Sequence, residues 1–152
     1  MSRYRPLIAA GVLMGIGLGG FLDGILFHQI LQFHNMLSNR LPRTTLANEE
    51  INMFWDGMFH AFCWIATVVA LWLLWRCIVH HAIDGGIYFG ALWLGWGVFN
   101  VVEGLIDHEI LQLHHVYQND PVHFLRWDLA FLLCGILFLL MGRWLIGRST
   151  QT

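Results

Sequence analysis

The chain has 152 residues, of which 57% are hydrophobic and 12% charged, with a mean hydropathy of +0.60; soluble domains carry about 25% charged residues, so this composition belongs to a membrane protein. All eight basic residues are arginine and the net charge is −2, which leaves no basic stripe and excludes nucleic acid as a partner. Cys63, Cys77 and Cys134 stand singly without CxxC spacing, which argues against a disulfide framework or thiolate cluster and leaves them as small buried hydrophobes.

The first apolar stretch, residues 6–28, has the roughly 20-residue length that a bilayer core requires. No convincing small-residue cleavage site follows it, so it is expected to be a retained first helix. A polar connection over residues 38–50 leads to a second span at 53–75, and a short return carrying His80 and His81 leads to a third at 85–107. Residues 117–120 form another polar connection, and Asp120-Pro121, a pair suited to opening a helix, precedes His123 and a fourth span at 122–141. The expectation is an all-α integral membrane four-helix bundle forming one transmembrane domain over residues 1–152.

Four spans place both termini on one side of the bilayer. Arg3, Arg5, Arg76, Arg143 and Arg148 lie on that side against Arg40, Arg43 and Arg126 on the other, so the positive-inside bias predicts cytoplasmic termini and histidine-rich ends facing outward. Gly11, Gly15 and Gly19 recur every four residues in the first helix, and Gly86, Gly90, Gly95 and Gly97 punctuate the third. Rows of small residues allow close backbone approach, so helices one and three are expected to form the central pair.

The segment Gly20-Phe-Leu-Asp-Gly-Ile-Leu-Phe-His-Gln-Ile-Leu-Gln-Phe-His34 returns eighty positions on as Asn100-Val-Val-Glu-Gly-Leu-Ile-Asp-His-Glu-Ile-Leu-Gln-Leu-His114. Acid, Gly, His, Gln and His recur in register, and Trp55-Asp56 and Trp127-Asp128 open the second and fourth spans alike. This predicts two parallel helical-hairpin repeats, over about 6–76 and 85–146, with both motifs at the same membrane face.

At about 1.5 Å per residue, Asp23 and Glu103 lie roughly 25 Å along their helices, level with His60 and Asp128, and Asp56, Asp107, His28 and His108 lie about a turn further out. Carboxylates at that depth cost about 2.5–3.5 kcal/mol each unless paired, protonated or bound to a cation. Imidazole with carboxylate is a donor set that suits zinc, iron, manganese or copper. The predicted metal ligands are therefore Asp23, His28, Asp56, His60, Glu103, Asp107, His108 and Asp128, with Gln32, His34, Glu109, Gln112, His114 and His115 in an outer or second shell.

Helical periodicity complicates this set. On a continuous α-helix Asp23 and His34 share one stripe, as do Glu103, Asp107 and His114, whereas His28, Gln32 and Asn35 lie about 120–180° away. Either the helix unwinds near Gly24 and Gly104, or one stripe binds metal and the other packs, supplies a second shell or builds a second site.

The two motif segments, from Gly20 to His34 and from Glu103 to His115, resemble those of a bacterial family of predicted four-span membrane proteins, a domain of unknown function. The resemblance covers nearly the whole chain and implies a bacterial inner-membrane location; it implies no activity, substrate or catalytic residue. Asn35 departs from the pattern, which has His there.

The function expected is a membrane metalloprotein holding one or two transition-metal ions near the extracytoplasmic end of the bundle, with redox or hydrolytic chemistry open to it. The partners expected are the lipid bilayer and the metal, with a second copy or a respiratory-type membrane protein as further candidates. Competing readings are an ion or proton transporter, a haem-binding electron-transfer subunit, and an accessory subunit without a metal.

Overall fold

The computed structural model describes residues 2–151, and among them every regular element is helical. Helix α1, Arg5–Leu22, has Pro6 in its first turn, where a missing N–H costs nothing, and runs into a π-helical segment, Asp23–Ile30. Helix α2 covers Leu46–Val79 and α3 covers Gly85–Glu103, which continues as a second π-helical segment, Gly104–Ile110. A 3₁₀ turn at Pro121–His123 then opens α4, Phe124–Ser149.

Four helices are long and apolar enough to cross a membrane: Arg5–Ile30, Leu46–Val79, Gly85–Ile110 and Pro121–Ser149. Helix α2 begins well before the span expected at residue 53. Thr45 is in extended conformation and its side chain accepts from Asn48 N at 3.3 Å, so the polar stretch Asn48, Glu49 and Glu50 is helix rather than loop. Asp84 caps α3 in the same way, accepting from Ile87 N at 2.9 Å.

Helix α1 packs against α3 on one side and α2 on the other, and α4 packs on α3. The glycine row explains the central pair. A Cβ at Gly11 would strike Ala91 and Tyr88 O, one at Gly15 would strike backbone atoms of Leu92 and Trp96, and one at Gly19 would meet the Trp96 ring. The rising register on both helices means that α1 and α3 run parallel. Gly17 lies against Thr67 and Cys63 of α2, and Gly97 against Gly135 and Leu139 of α4, so each central helix makes a second close contact with its own hairpin partner.

The outer faces of α2 and α4 carry exposed Phe62, Trp64, Leu71 and Trp72, and Leu133, Leu137, Leu140 and Trp144. That is a lipid-facing surface, since exposed apolar area of this extent is otherwise a docking or aggregation surface. Cys63 and Cys77 are buried as expected, but Cys134 is exposed, because its side of α4 faces outward.

Gly15→Leu is expected to lower stability in detergent by about 1–3 kcal/mol, because the new side chain meets backbone rather than a movable rotamer. Gly57, with nothing within 4 Å of its Cβ position, provides the control. Gly57→Ala should not lower the denaturation midpoint, and an unchanged midpoint for Gly15→Leu would contradict the close-packed pair.

Candidate metal centre

The site begins with a local change of helix type. After Asp23 and Glu103 the chain widens, so that Leu31 N reaches Leu26 O at 2.8 Å and Leu111 N reaches Ile106 O at 2.7 Å. In a π-helix residue i+5, rather than i+4, comes over residue i. Asp23 and His28 are five apart, as are Glu103 and His108. The widening therefore resolves the conflict between stripes: the helix neither continues as α nor unwinds into coil. Gly24 and Gly104 give way to the neighbouring helix at this point, since a Cβ would lie 2.6 Å from His60 Nε2 or 2.7 Å from Leu132 Cδ2.

Each π-segment ends in a sharp reversal. Gln32 (φ 51°) and Gln112 (φ 48°) take the left-handed conformation, which turns the chain back toward the bundle. Phe33 N bonds Phe27 O and Leu113 N bonds Asp107 O, at 2.8 and 2.7 Å. The reversal carries His34 and His114 inward, where both are buried. The two outer connections also clasp each other, through Asn39 N to Leu113 O at 2.9 Å and Gln118 N to Phe33 O at 3.0 Å.

Four imidazoles, His28, His34, His108 and His114, meet at this end of the bundle, each at most 1% exposed. The rings of His34 and His114 stack with centroids 4.4 Å apart and planes 4° from parallel; His28 stands 4.4 Å from His34 and His108 4.8 Å from His114. Two crossed bonds orient the stacked pair: His34 Nδ1 donates to Val116 O at 2.9 Å, and His114 Nδ1 to Met36 O at 3.0 Å. A carbonyl can only accept, so each ring carries a proton on Nδ1 and turns Nε2 inward. Burial, reinforced by the neighbouring histidines His34, His108 and His28, holds His114 well below the usual histidine pKa, so this ring is neutral.

The other two rings stand against carboxylates, and one of them is hydrogen-bonded there. Asp56 Oδ1 accepts from His28 Nδ1 at 2.9 Å and from Met36 N at 2.8 Å, while Oδ2 accepts from Asn35 Nδ2 at 2.5 Å. Asp128 repeats this in part, accepting from Val116 N at 3.0 Å and His115 Nδ1 at 2.7 Å, while His108 Nδ1 lies 3.4 Å from it without a hydrogen bond. Asn35 and His115 thus do the same work on their respective acids, and the departure at Asn35 leaves the arrangement intact.

On the opposite, Nε2 side of the rings stand Asp23 and Glu103. Asp23 Oδ2 lies 3.0 Å from His28 Nε2 and 3.9 Å from His34 Nε2, and Glu103 Oε1 lies 3.7 Å from His114 Nε2. His28–His34–His114, Glu103–His108–His114 and Asp23–His28–Glu103 each offer ligand atoms within 4.8 Å of one another. Asp23 Oδ2, Glu103 Oε2 and all four Nε2 atoms are buried without a hydrogen-bond partner. Buried polar atoms are almost always satisfied, and a carboxylate oxygen 3.0 Å from a lone-pair nitrogen requires a proton or a metal ion between them.

Of the remaining residues expected at the site, Asp56 and Asp128 face the Nδ1 side, away from the convergent atoms. His60 donates Nδ1 to the Asp56 carbonyl of its own helix at 2.8 Å, and its Nε2 packs over Gly24. Asp107 is half-buried, and Gln32, Gln112 and Glu109 are exposed. His34 and His114, expected in the outer shell, are among the innermost groups. Two cavities of about 290 and 310 Å³ approach the cluster from either side of the α1–α3 pair; the first ends at Asp23 among Trp96, Phe99 and Phe131, the second at Glu103 among Ile16, Phe59 and Val102. A third, polar cavity of about 280 Å³ reaches His28 from the outer face past Arg43, Glu49 and Asn52.

The fold and cluster together define an all-α membrane bundle with a histidine–carboxylate centre buried at one end. The chain belongs to the family described as predicted membrane protein DUF2243, whose model matches residues 10–149 and so includes every residue of the centre. No curated protein and no solved structure matches the chain.

Proposed function

We propose that this is a metalloprotein of the bacterial inner membrane that binds a first-row transition metal through Asp23, His28, His34, Glu103, His108 and His114. The observation that carries this reading is the convergence of four Nε2 atoms without hydrogen bonds on two buried carboxylates. The backing of His28 by Asp56 adds to it, because metal-bound histidines almost always donate their other nitrogen to a carboxylate or carbonyl. Zinc, iron, manganese and copper all suit this donor set.

A haem reading is disfavoured because rings with centroids 4.4 Å apart leave no space for a macrocycle between them. An ion path is disfavoured because the α1–α3 contact inward of the acids is built from glycine and apolar side chains, with Asn100 the exception. We read the two halves as copies of one hairpin: each makes the same π-segment, the same left-handed Gln and the same crossed histidine–carbonyl bond.

Elemental analysis of protein purified without added metal or chelator tests the reading. Near-stoichiometric first-row metal is the expected result, and repeated metal-free preparations that remain folded would overturn it. The arginine bias places the termini in the cytoplasm and the centre at the periplasmic end. Thr44→Cys and Asn119→Cys, at exposed positions of the outer connections, should then react with an impermeant thiol reagent added to intact spheroplasts. Reaction only after lysis would invert the orientation.

A further inference from the structure

We propose that the centre takes two divalent metal ions, one on Asp23, His28 and His34 and the other on Glu103, His108 and His114. The proposal rests on the metal-binding reading above and gives its nuclearity. Each half of the chain supplies one carboxylate and two imidazoles, the two-histidine, one-carboxylate face that holds a single ion with positions left open.

Donor spacing permits this division, and two of the three close ligand groups, His28–His34–His114 and Asp23–His28–Glu103, span the boundary between the halves. Asp23 lies within 3.9 Å of both histidines of its own half, and Glu103, His108 and His114 close to within 4.8 Å. The halves meet where His34 and His114 stack, at a centroid separation of 4.4 Å with each ring aimed at its own acid. Paired metal ions typically stand about 3.5–4 Å apart, a spacing that two such rings can serve.

The backing of the rings fits the same division. Asp23 and Glu103 stand on the Nε2 side, while Asp56 and Asp128 lie directly behind His28 and His108. Metal-bound histidines are typically backed in this way, and each half supplies one such carboxylate.

Anaerobic titration of the metal-free chain in detergent with Co²⁺, followed by its ligand-field absorption, reads the stoichiometry. The wild type should saturate at two equivalents per chain, and His34→Ala and His114→Ala at one each. The chain loaded with two equivalents of Mn²⁺ should show an exchange-coupled electron paramagnetic resonance spectrum instead of isolated six-line signals, which needs no variant. Saturation of the wild type at one equivalent, uncoupled Mn²⁺, or saturation of either variant at two overturns the two-ion centre. Saturation at one equivalent leaves the metalloprotein reading standing, whereas no binding removes both.

Discussion

Replacing Asp56 by alanine is expected to destabilise the chain by about 3–9 kcal/mol and to weaken metal binding about 10–100-fold. This carboxylate is 1% exposed and is the acceptor for His28 Nδ1, Asn35 Nδ2 and Met36 N. Deleting it strands three donors at a site with little access to water, and each costs about 1–3 kcal/mol. That sum is comparable with the whole stability of many domains. Asp56→Asn keeps one acceptor oxygen and should lose distinctly less. Two readouts separate the roles: the denaturation midpoint of the metal-free chain reports the connection held by Met36, and Co²⁺ affinity reports the orientation of His28. An Asp56→Ala chain equal to wild type in both would mean that this acid neither orients the ring nor anchors the reversal.

The parts of this architecture that depend on local length and size were legible in the amino-acid sequence. Apolar runs matched the bilayer, and Gly11, Gly15 and Gly19 marked the face of α1 that meets α3. The start of α2 was not, because Asn48, Glu49 and Glu50 read as a polar loop until Thr45 is seen to cap them. The centre was legible in its residue types but not in its layering. Periodicity assumes 3.6 residues per turn, and on that helix Asp23 and His28 diverge; only the widening after Asp23 brings them within 3.0 Å. Nothing in the residue type of Gln32 or Gln112 announces a left-handed reversal, so His34 and His114 were expected to continue outward. Recurrence was a better guide than local spacing. Asp23 and Glu103, His28 and His108, and His34 and His114 form the convergent set and occupy matching places in the two motifs. His60 makes an attractive i, i+4 pair with Asp56 but has Leu132 as its counterpart, and it packs over Gly24 as Leu132 packs over Gly104.

Removing the metal is expected to reverse the stability ranking of the wild type and the Asp23→Asn/Glu103→Gln double variant. With metal at about 1,000 times its Kd, binding stabilises the folded wild type by about 4 kcal/mol per site, roughly 10 °C in Tm for a chain of this size. The double variant lacks both charged ligands and should bind weakly, so it melts lower under these conditions. After chelation the balance changes. Asp23 and Glu103 then present ligand oxygens within 4.8 Å of each other, so they repel if both are ionised and one must otherwise take up a proton, and either outcome costs stability. The four inward Nε2 atoms also lack donors. Amides of the same shape remove the repulsion and bring N–H groups that can donate to His28 Nε2 and His114 Nε2, so the double variant should melt above the metal-free wild type. Thermal melts of both proteins with saturating metal and with chelator decide the matter. A double variant that melts below the wild type even with chelator would show that the two acids stabilise the bundle without a metal, as an internal pairing network, and would remove the physical reason for placing one there.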